Sequence, residues 1–150
     1  DELFGTIVNR FITQAVIDYP LTVYGKGGQT RGYLNIKDTL QCVHIAEKNP
    51  AKSGSLNIYN QIMETFTVNQ LAELTQESGR ELGYDVQIKN IENPRVELEE
   101  HYYNPSYQGL IDLGVKPHYL TKNSMKEMFE IVGFYKNNIK KSVIFKGVKW

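Results

Sequence analysis

The chain has 150 residues, with 17 basic and 17 acidic side chains, so its formal net charge at pH 7 is zero. This balance gives no global attraction to nucleic acid or to an anionic membrane. No apolar run approaches the roughly 20 residues that a membrane-spanning helix requires. The single cysteine, Cys42, excludes an internal disulfide and any zinc site built from several cysteines.

The first predicted elements are a helix and a short strand. Apolar residues from Ile7 to Val16 recur at the three-to-four-residue spacing of an amphipathic helix, which Pro20 should end. Arg10 lies on the polar side of this helix, so we expect it at the surface or in an ion pair. Residues 21–24 are then expected to form a strand.

A glycine-rich turn at residues 25–29 and a second strand at 32–36 lead into the next helix. Asp38 is a suitable N-cap for that helix, because its side-chain oxygens can accept free backbone N–H groups. The inward face of the helix is predicted to comprise Leu40, Val43, His44 and Ala46. Residues 56–59 alternate like a strand, but the chain supplies few neighbours for it, so we expect part of a larger sheet to lie outside this sequence.

The second half of the chain contains two predicted capping boxes. Thr67 and Gln70 have the spacing of the first, which opens a helix ended by Gly83. The residues from Ser124 to Glu127 have the spacing of the second. Between these helices we predict a strand at 86–88 and a short helix that follows Asn104 and Pro105 and runs to Gly114. Short strands alternating with helices predict a partial α/β fold.

The segment most suggestive of chemistry runs from Pro20 to Leu34. Its glycines would let backbone approach a ligand closely, and Arg31 offers the planar fork that binds phosphate oxygens in pairs. The alternative is a solvent-exposed hairpin that carries a surface arginine. Composition and spacing alone leave both open.

This segment, Pro-Leu-Thr-Val-Tyr-Gly-Lys-Gly-Gly-Gln-Thr-Arg-Gly-Tyr-Leu, resembles the extended short-chain dehydrogenase/reductase family. Members of this NAD-dependent epimerase/dehydratase group act on nucleotide sugars. Further matching motifs stand at residues 8–11, 49–52, 59–61, 93–97, 99–104 and 117–120. The resemblance therefore covers most of the chain and implies the carboxy-terminal, substrate-binding portion of the Rossmann-type family fold.

Within the family, the motifs are similar to those of enzymes that join sulfite to UDP-glucose for sulfolipid biosynthesis. The resemblance implies a parent enzyme with tightly bound NAD, which oxidises the sugar transiently. The resemblance also implies a homodimer. We expect it in the cytoplasm, or in the plastid stroma of a photosynthetic eukaryote. The alternatives are a nucleotide-sugar 4-epimerase, a 4,6-dehydratase, or a stand-alone binding module without catalysis.

Parts of the family pattern are missing from this chain. The Gly-x-x-Gly-x-x-Gly fingerprint of the dinucleotide site does not occur, and we assign no Tyr-x-x-x-Lys pair to catalysis. Residues 1–150 are therefore expected to form one substrate-binding portion without the amino-terminal dinucleotide-binding part, and not to catalyse the reaction alone. No histidine pair has metal-ligand spacing with a third ligand, so no metal site is predicted.

The resemblance also implies roles for individual residues. Residues 22–24 match a strand that flanks the uracil, Arg31 matches an arginine of the diphosphate site, and Arg95 resembles a second phosphate arginine. Glu97 and His101 stand in an acidic stretch that a solvated surface would also explain. The full set of substrate-binding candidates is Thr6, Ile7, Thr22, Val23, Tyr24, Gln29, Arg31, Asn60, Arg95, Glu97 and His101.

Overall fold

A computed structural model describes residues 6–93 and 105–144 of the chain. Its α-helices are α1 (Ile7–Val16), α2 (Ile36–Lys48), α3 (Val68–Glu81), α4 (Gln108–Asp112), α5 (Lys122–Phe134) and α6 (Lys141–Ile144). Its strands are β1 (Leu21–Tyr24), β2 (Thr30–Tyr33), β3 (Glu64–Thr67) and β4 (Ile88–Ile91). A short 3-10 turn covers Lys136–Asn138.

The chain divides into two compact units. The first unit comprises the described residues of Asp1–Gln29, Thr67–His101 and Thr121–Trp150. The second comprises those of Thr30–Phe66 and Tyr102–Leu120. Each unit has its own set of buried apolar side chains.

Three helices and a pair of parallel strands build the first unit. The helices α1, α3 and α5 contact one another, and β1 pairs with β4 so that Leu21 lies beside Ile88 and Tyr24 beside Ile91. Parallel neighbours require a crossover connection, which here includes α3. The largest fully buried side chains of this unit include Phe11, Ile12, Leu71, Met125 and Phe129.

The second unit is smaller and contains the β2–β3 pair with α2 and α4. Among the described residues, the buried core of this unit comprises Cys42, Met63, Leu110 and Val115. Partly buried apolar residues surround them, among them Leu34, Ile45, Tyr59 and Tyr107. Cys42 is 1% exposed and packs as a small buried apolar side chain.

Several local predictions are confirmed. The first helix and strand have the predicted extents, and Thr67 caps α3 through the expected box. In that box the Thr67 Oγ1 accepts from the Gln70 N–H at 3.2 Å, while the Gln70 Oε1 accepts from the Thr67 N–H at 2.8 Å. Gly83, directly after the C-cap of α3, has the positive φ of 86° that favours glycine.

Two helices begin earlier than predicted. The N-cap of α2 is Asn35, whose Oδ1 accepts the Lys37 N–H at 3.0 Å, and Asp38 lies in the first helical turn. The N-cap of α5 is Thr121, and Ser124 is its partner in the capping box rather than the cap itself. In both cases a second residue with the same hydrogen-bonding capacity stands one turn upstream.

Other strand and helix predictions are shifted or wrong. β2 and β4 lie at 30–33 and 88–91 instead of 32–36 and 86–88, and α4 begins at Gln108, after Pro105. Residues 56–59 are not assigned as a strand. The predicted inward face of α2 is also wrong, since Leu40 and Val43 are 66% and 59% exposed and His44 is exposed too.

Candidate functional site

Polar side chains of α1 hold β1 in place within the first unit. The Gln14 Nε2 donates to the Thr22 Oγ1 at 2.8 Å, and the Gln14 Oε1 accepts the Thr22 N–H at 3.1 Å. The Arg10 Nη2 donates to the Thr22 carbonyl at 2.9 Å. These bonds engage the N–H, the carbonyl and the side-chain oxygen of Thr22, so the strand that carries three candidate residues is rigidly positioned.

Arg10 is buried, which corrects the expectation of a surface position. Its side chain is 8% exposed, and its guanidinium carbon lies 4.5 Å from the centroid of the Tyr24 ring. A guanidinium over an aromatic face is attracted by the ring quadrupole. Among the candidates of β1, Thr22 and Val23 are buried and only Tyr24 is half-buried, so Tyr24 is the side chain of this strand best able to meet a ligand.

Two asparagines anchor the glycine-rich turn after β1. The Asn90 Nδ2 donates to the Gly25 carbonyl at 2.8 Å. The Asn69 Nδ2 donates to the Lys26 carbonyl at 2.9 Å, and the Asn69 N–H donates to the Gly27 carbonyl at 3.1 Å. Both asparagines come from the first unit, so the turn is fixed by side chains more than 40 residues away.

Gly27 and Gly28 differ in their backbone conformation and in the space around them. Gly27 has a φ of 75°, and a Cβ on it would lie 2.7 Å from the Val23 Cγ1. A Cβ on Gly28 would have no atom within 4 Å among the described residues. Packing inside the protein therefore requires glycine at 27, whereas the space beside Gly28 is open.

Gln29 has a buried side-chain oxygen to which none of the described residues donates a hydrogen bond. The residue is 4% exposed, its Nε2 donates weakly to the Tyr24 carbonyl at 3.4 Å, and its Oε1 has no hydrogen-bond partner in the part of the chain that the structure describes. A buried polar atom without a partner is costly. A donor group from a ligand would remove that cost.

The remaining described candidates are divided between the two units. Thr6 is the exposed N-cap of α1, and the half-buried Ile7 is its first residue. In the second unit, Arg31 is a half-buried residue of β2 whose Nη1 donates to the Thr30 carbonyl at 3.0 Å. The Asn60 Nδ2 donates to the Ser106 carbonyl at 2.9 Å. Arg95, Glu97 and His101 lie outside the described residues, as does Asn104, which precedes the predicted short helix.

One pair of residues in the chain has the spacing of Tyr-x-x-x-Lys. Tyr33 and Lys37 stand four residues apart. Side chains at this spacing are neighbours when both lie on one helix. Tyr33 ends β2, whereas Lys37 lies in the first turn of α2, after the cap residue Asn35. The spacing therefore does not form a helical pair here.

The buried carboxylate of Asp38 is a hydrogen-bond acceptor within the second unit, which the sequence did not indicate. Asp38 is fully buried, its Oδ2 accepts the His118 N–H at 2.7 Å, and its Oδ1 lies 2.6 Å from the His118 Nδ1. The Gln41 Nε2 donates to the same Oδ1 at 2.8 Å. These bonds hold His118 in its turn and give it a structural role.

The chain from residue 116 to 120 is bound through alternate backbone N–H groups. The Lys116 N–H donates to the Gln41 Oε1 at 3.3 Å, and the Leu120 N–H donates to the Glu64 Oε2 at 2.7 Å, on either side of the His118 N–H. Side chains from α2 and β3 therefore supply the acceptors that a neighbouring strand would supply in a sheet.

Glu64 should make stability depend on pH. Burial raises the pKa of Glu64, the Leu120 N–H opposes this, and the nearby Asp38 adds to the rise. The folded chain then binds more protons than the unfolded chain above about pH 4.3, so the free energy of unfolding falls as pH rises through the raised pKa. We expect Glu64→Gln to remove this slope, because the amide does not titrate. The fold should be kept, because glutamine can still accept the hydrogen bond from the Leu120 N–H.

The measurement is the denaturation midpoint from pH 4 to pH 8 for the wild type, Glu64→Gln and the control Glu47→Gln. The Glu47 side chain is 81% exposed, so its replacement should leave the slope unchanged. A Glu64→Gln variant that keeps the wild-type pH dependence contradicts the assignment.

Cys42 is not arranged as a nucleophile or a metal ligand. Burial, and then the charge of Asp38, raise the pKa of its thiol, which keeps it protonated. The described residues contain no cluster of three or more His, Cys, Asp and Glu side chains that could hold a metal ion. Within residues 6–93 and 105–144, no helix combines the length and apolar character needed to cross a membrane.

The chain is similar over its whole length to two UDP-sulfoquinovose synthases. It is 47% identical over 150 residues to the chloroplastic protein of Spinacia oleracea. This match covers 100% of the chain and 31% of that protein. It is 43% identical over 152 residues to the protein of Sulfolobus acidocaldarius, with 100% of this chain and 39% of that protein covered. The chain thus spans about a third of these curated relatives. No protein-family model matches it.

Solved nucleotide-sugar epimerases share the fold. The UDP-glucose 4-epimerase of Thermotoga maritima, solved with UDP-glucose, has a TM-score of 0.69 and 21% identity over 93% of this chain and 42% of its own. The UDP-glucuronic acid 4-epimerase of Bacillus cereus, solved with UDP-glucuronic acid and NAD, has a TM-score of 0.68 and 16% identity over 87% of this chain and 40% of its own.

These similarities identify the family of the chain and the members of that family that it matches. The fold is part of the α/β fold of the extended short-chain dehydrogenase/reductases, as the sequence predicted, and the chain belongs to their NAD-dependent epimerase/dehydratase family. Within that family, the chain corresponds to the carboxy-terminal part of UDP-sulfoquinovose synthase.

Proposed function

We propose that this chain is the nucleotide-sugar-binding portion of a protein that makes UDP-sulfoquinovose from UDP-glucose and sulfite. The observation that carries the proposal is the 47% identity to a UDP-sulfoquinovose synthase across the whole chain. Because the identity covers all 150 residues, both units would belong to one substrate-binding portion. The product would serve sulfolipid biosynthesis.

The ligand of this portion would be UDP-glucose. Different candidate residues would bind its diphosphate, its nucleoside and its sugar. Arg31 would bind the diphosphate, because a guanidinium pairs two donors with phosphate oxygens. Tyr24 and its strand, with Thr6 and Ile7, would line the nucleoside, and Asn60 would meet the sugar. Gln29 supports the proposal, since its buried Oε1 lacks a donor among the described residues and could accept one from the ligand. Arg95, Glu97 and His101 complete the proposed set.

NAD belongs to the rest of the proposed protein. A dinucleotide pyrophosphate is bound where a glycine-rich turn leads from a strand into a helix N-terminus. Here the glycine-rich turn connects β1 to β2, so the described residues do not fit that group. The same whole protein would use sulfite as second substrate and form a homodimer. It would reside in the cytoplasm or the plastid stroma, and the Spinacia oleracea relative is named as chloroplastic.

Isothermal titration of this chain with UDP-glucose tests the proposal. We expect saturable binding, competition by UDP and no binding of free glucose. Arg31→Ala should weaken the affinity by about tenfold to over a hundredfold, because a charge-assisted contact to the ligand is worth about 1.5–3 kcal/mol. Arg80→Ala is the matched control, since Arg80 is an exposed arginine of α3.

Gln29→Met separates a ligand role from a packing role in the same titration. The substitution removes a buried oxygen that has no donor among the described residues, so we expect unchanged or higher stability together with weaker binding. Unchanged affinity in both Arg31→Ala and Gln29→Met would contradict the proposed site. If the whole protein epimerises or dehydrates a nucleotide sugar and ignores sulfite, the proposed activity is wrong even where the site is right.

A further inference from the structure

A cavity of about 330 Å³ opens in the first unit, between α1, the end of α5 and the residues that follow α5. Apolar side chains supply most of its lining, chiefly Ile131, Val132, Ile139, Val143 and Ile144. Small-molecule sites in proteins typically have volumes of about 300 Å³ or more, with mostly apolar walls and a few polar groups. None of the described substrate-binding candidates lines this cavity, so the proposed nucleotide-sugar site does not account for it.

One lysine at the cavity has no acidic partner among the described residues. Lys140 is an exposed lining residue, and its side chain makes no ion pair with another residue that the structure describes. Lys136 is already engaged, because its Nζ lies 3.0 Å from the Asp18 Oδ2. Residues 131–144 contain three lysines and no acidic residue, and Glu130 does not line the cavity. The charge beside the cavity is therefore positive and complementary to an anion.

Apolar surface continues from the cavity along the end of α5. The lining residues Ile131 and Tyr135 are 62% and 54% exposed, and Phe134, which lies on the same face of the helix, is 81% exposed. The Phe134 and Tyr135 rings meet edge to face, with their centroids 4.9 Å apart. Exposed apolar side chains grouped in this way mark binding surfaces, because covering them removes apolar area from water. An occupant with an apolar body and one anionic end matches both features of the cavity.

We propose that this cavity binds the alkyl chain of a free, single-chain amphiphile whose head group is an anion. The alkyl chain lies among the apolar lining residues, and the head group lies beside the Lys140 ammonium. A group of the size of a water molecule occupies about 30 Å³, so a volume of about 330 Å³ takes about 11 such groups. This volume suits one short alkyl chain rather than the two long chains of a bilayer lipid. The inference goes beyond the proposed function, because it concerns a second ligand site.

Residues 145–150 of the chain are the competing occupant, because they directly follow the lining residue Ile144. Three of these six residues are apolar, but the segment also carries two lysines and no acidic residue. Its side-chain charge therefore has the same sign as that of Lys140. Like charges repel each other, whereas an anionic head group is attracted. Charge complementarity thus favours the amphiphile over the end of the chain.

Isothermal titration of the whole 150-residue chain with dodecanoate, below its critical micelle concentration, tests the proposal. We expect saturable binding of a single dodecanoate. Dodecyltrimethylammonium, which has the same alkyl chain and a positive head group, should bind about fivefold or more weakly. Saturating UDP-glucose should leave the dodecanoate affinity unchanged, because the described candidates for its site do not line the cavity. Absence of saturable binding, or equal affinity for the two amphiphiles, overturns the proposal.

Two pairs of variants locate the binding site within the chain. Lys140→Glu should weaken dodecanoate binding about fivefold or more, because it replaces an attraction by a repulsion, whereas Lys52→Glu reverses an exposed lysine of the second unit and should have no effect. Ile131→Asp places a charge in the lining and should also weaken binding, whereas Leu56→Asp alters an exposed leucine of the second unit and should not. Because all four side chains are exposed, the melting temperature should change little in each variant. Equal affinities of the lining variants and their controls overturn the proposal.

Two further measurements distinguish the other possible occupants. Deletion of residues 145–150 should leave the dodecanoate affinity unchanged, and a gain of about tenfold or more would show that the chain's own end occupies the cavity. Sedimentation with phosphatidylglycerol vesicles should leave the protein in the supernatant. Co-sedimentation that Lys140→Glu abolishes, without binding of free dodecanoate, would assign the surface to a bilayer. Either of these results overturns the proposal.

Discussion

Arg10→Ala is expected to lower the free energy of unfolding by about 3–5 kcal/mol. The substitution removes the 2.9 Å hydrogen bond from the guanidinium to the Thr22 carbonyl, which stays buried. A hydrogen bond to a charged group contributes about 1.5–3 kcal/mol, and a desolvated contact with the Tyr24 ring about 2 kcal/mol more. The buried aliphatic part of the side chain adds packing. Denaturation with urea, followed by circular dichroism, measures the loss.

Two further variants test whether position or charge matters. Arg80→Ala removes an exposed arginine from α3 and should change the free energy of unfolding by less than about 0.5 kcal/mol. Arg10→Lys keeps the positive charge but loses the planar fork, so an intermediate loss is expected. If Arg10→Ala costs no more than Arg80→Ala, Arg10 does not anchor β1.

Gly27→Ala is expected to cost about 2–5 kcal/mol. An L-residue at the observed φ of 75° adopts the left-handed region at a cost of about 1–2 kcal/mol. The new Cβ would also lie 2.7 Å from the Val23 Cγ1, inside van der Waals contact, and such overpacking typically costs about 1–3 kcal/mol. The denaturation midpoint in urea measures the effect.

Gly28→Ala is the control within the same turn. A Cβ there meets no described atom within 4 Å, so the stability should change by less than about 0.5 kcal/mol. The same variant reports on the ligand, since a methyl group in this open space would obstruct a molecule bound beside the turn. Equal destabilisation by both substitutions would show that the turn is not held as described.

Elements specified by neighbouring residues could be predicted from the sequence. The capping box of α3 depends on Thr67 and Gln70, which stand three residues apart and satisfy one another's backbone groups. The extent of α1 follows from its apolar spacing. The glycine turn and Arg31 could be singled out because their chemistry is local, and the family resemblance then supplied the remaining candidates.

The start of α2 and its buried face were not predictable in this way. Asp38 looks like a cap in the sequence, yet its carboxylate is bound by His118, which is 80 residues away. Leu40 and Val43 look like core positions, yet they are exposed among the described residues. Periodicity identifies an apolar face, but it does not identify what that face contacts.

The sequence by itself determined the α/β class, the principal helices, the glycine-rich turn and the family, because each depends on short-range pattern or on matched motifs. Only the tertiary structure decided that Arg10 is buried against β1 and that Asp38 accepts a hydrogen bond from the His118 N–H. It alone also shows that the buried Gln29 Oε1 has no hydrogen-bond donor among the described residues. The physical reason is distance along the chain. Burial and hydrogen-bond partners are set by segments that fold together from far apart, and no local pattern records which segments those are.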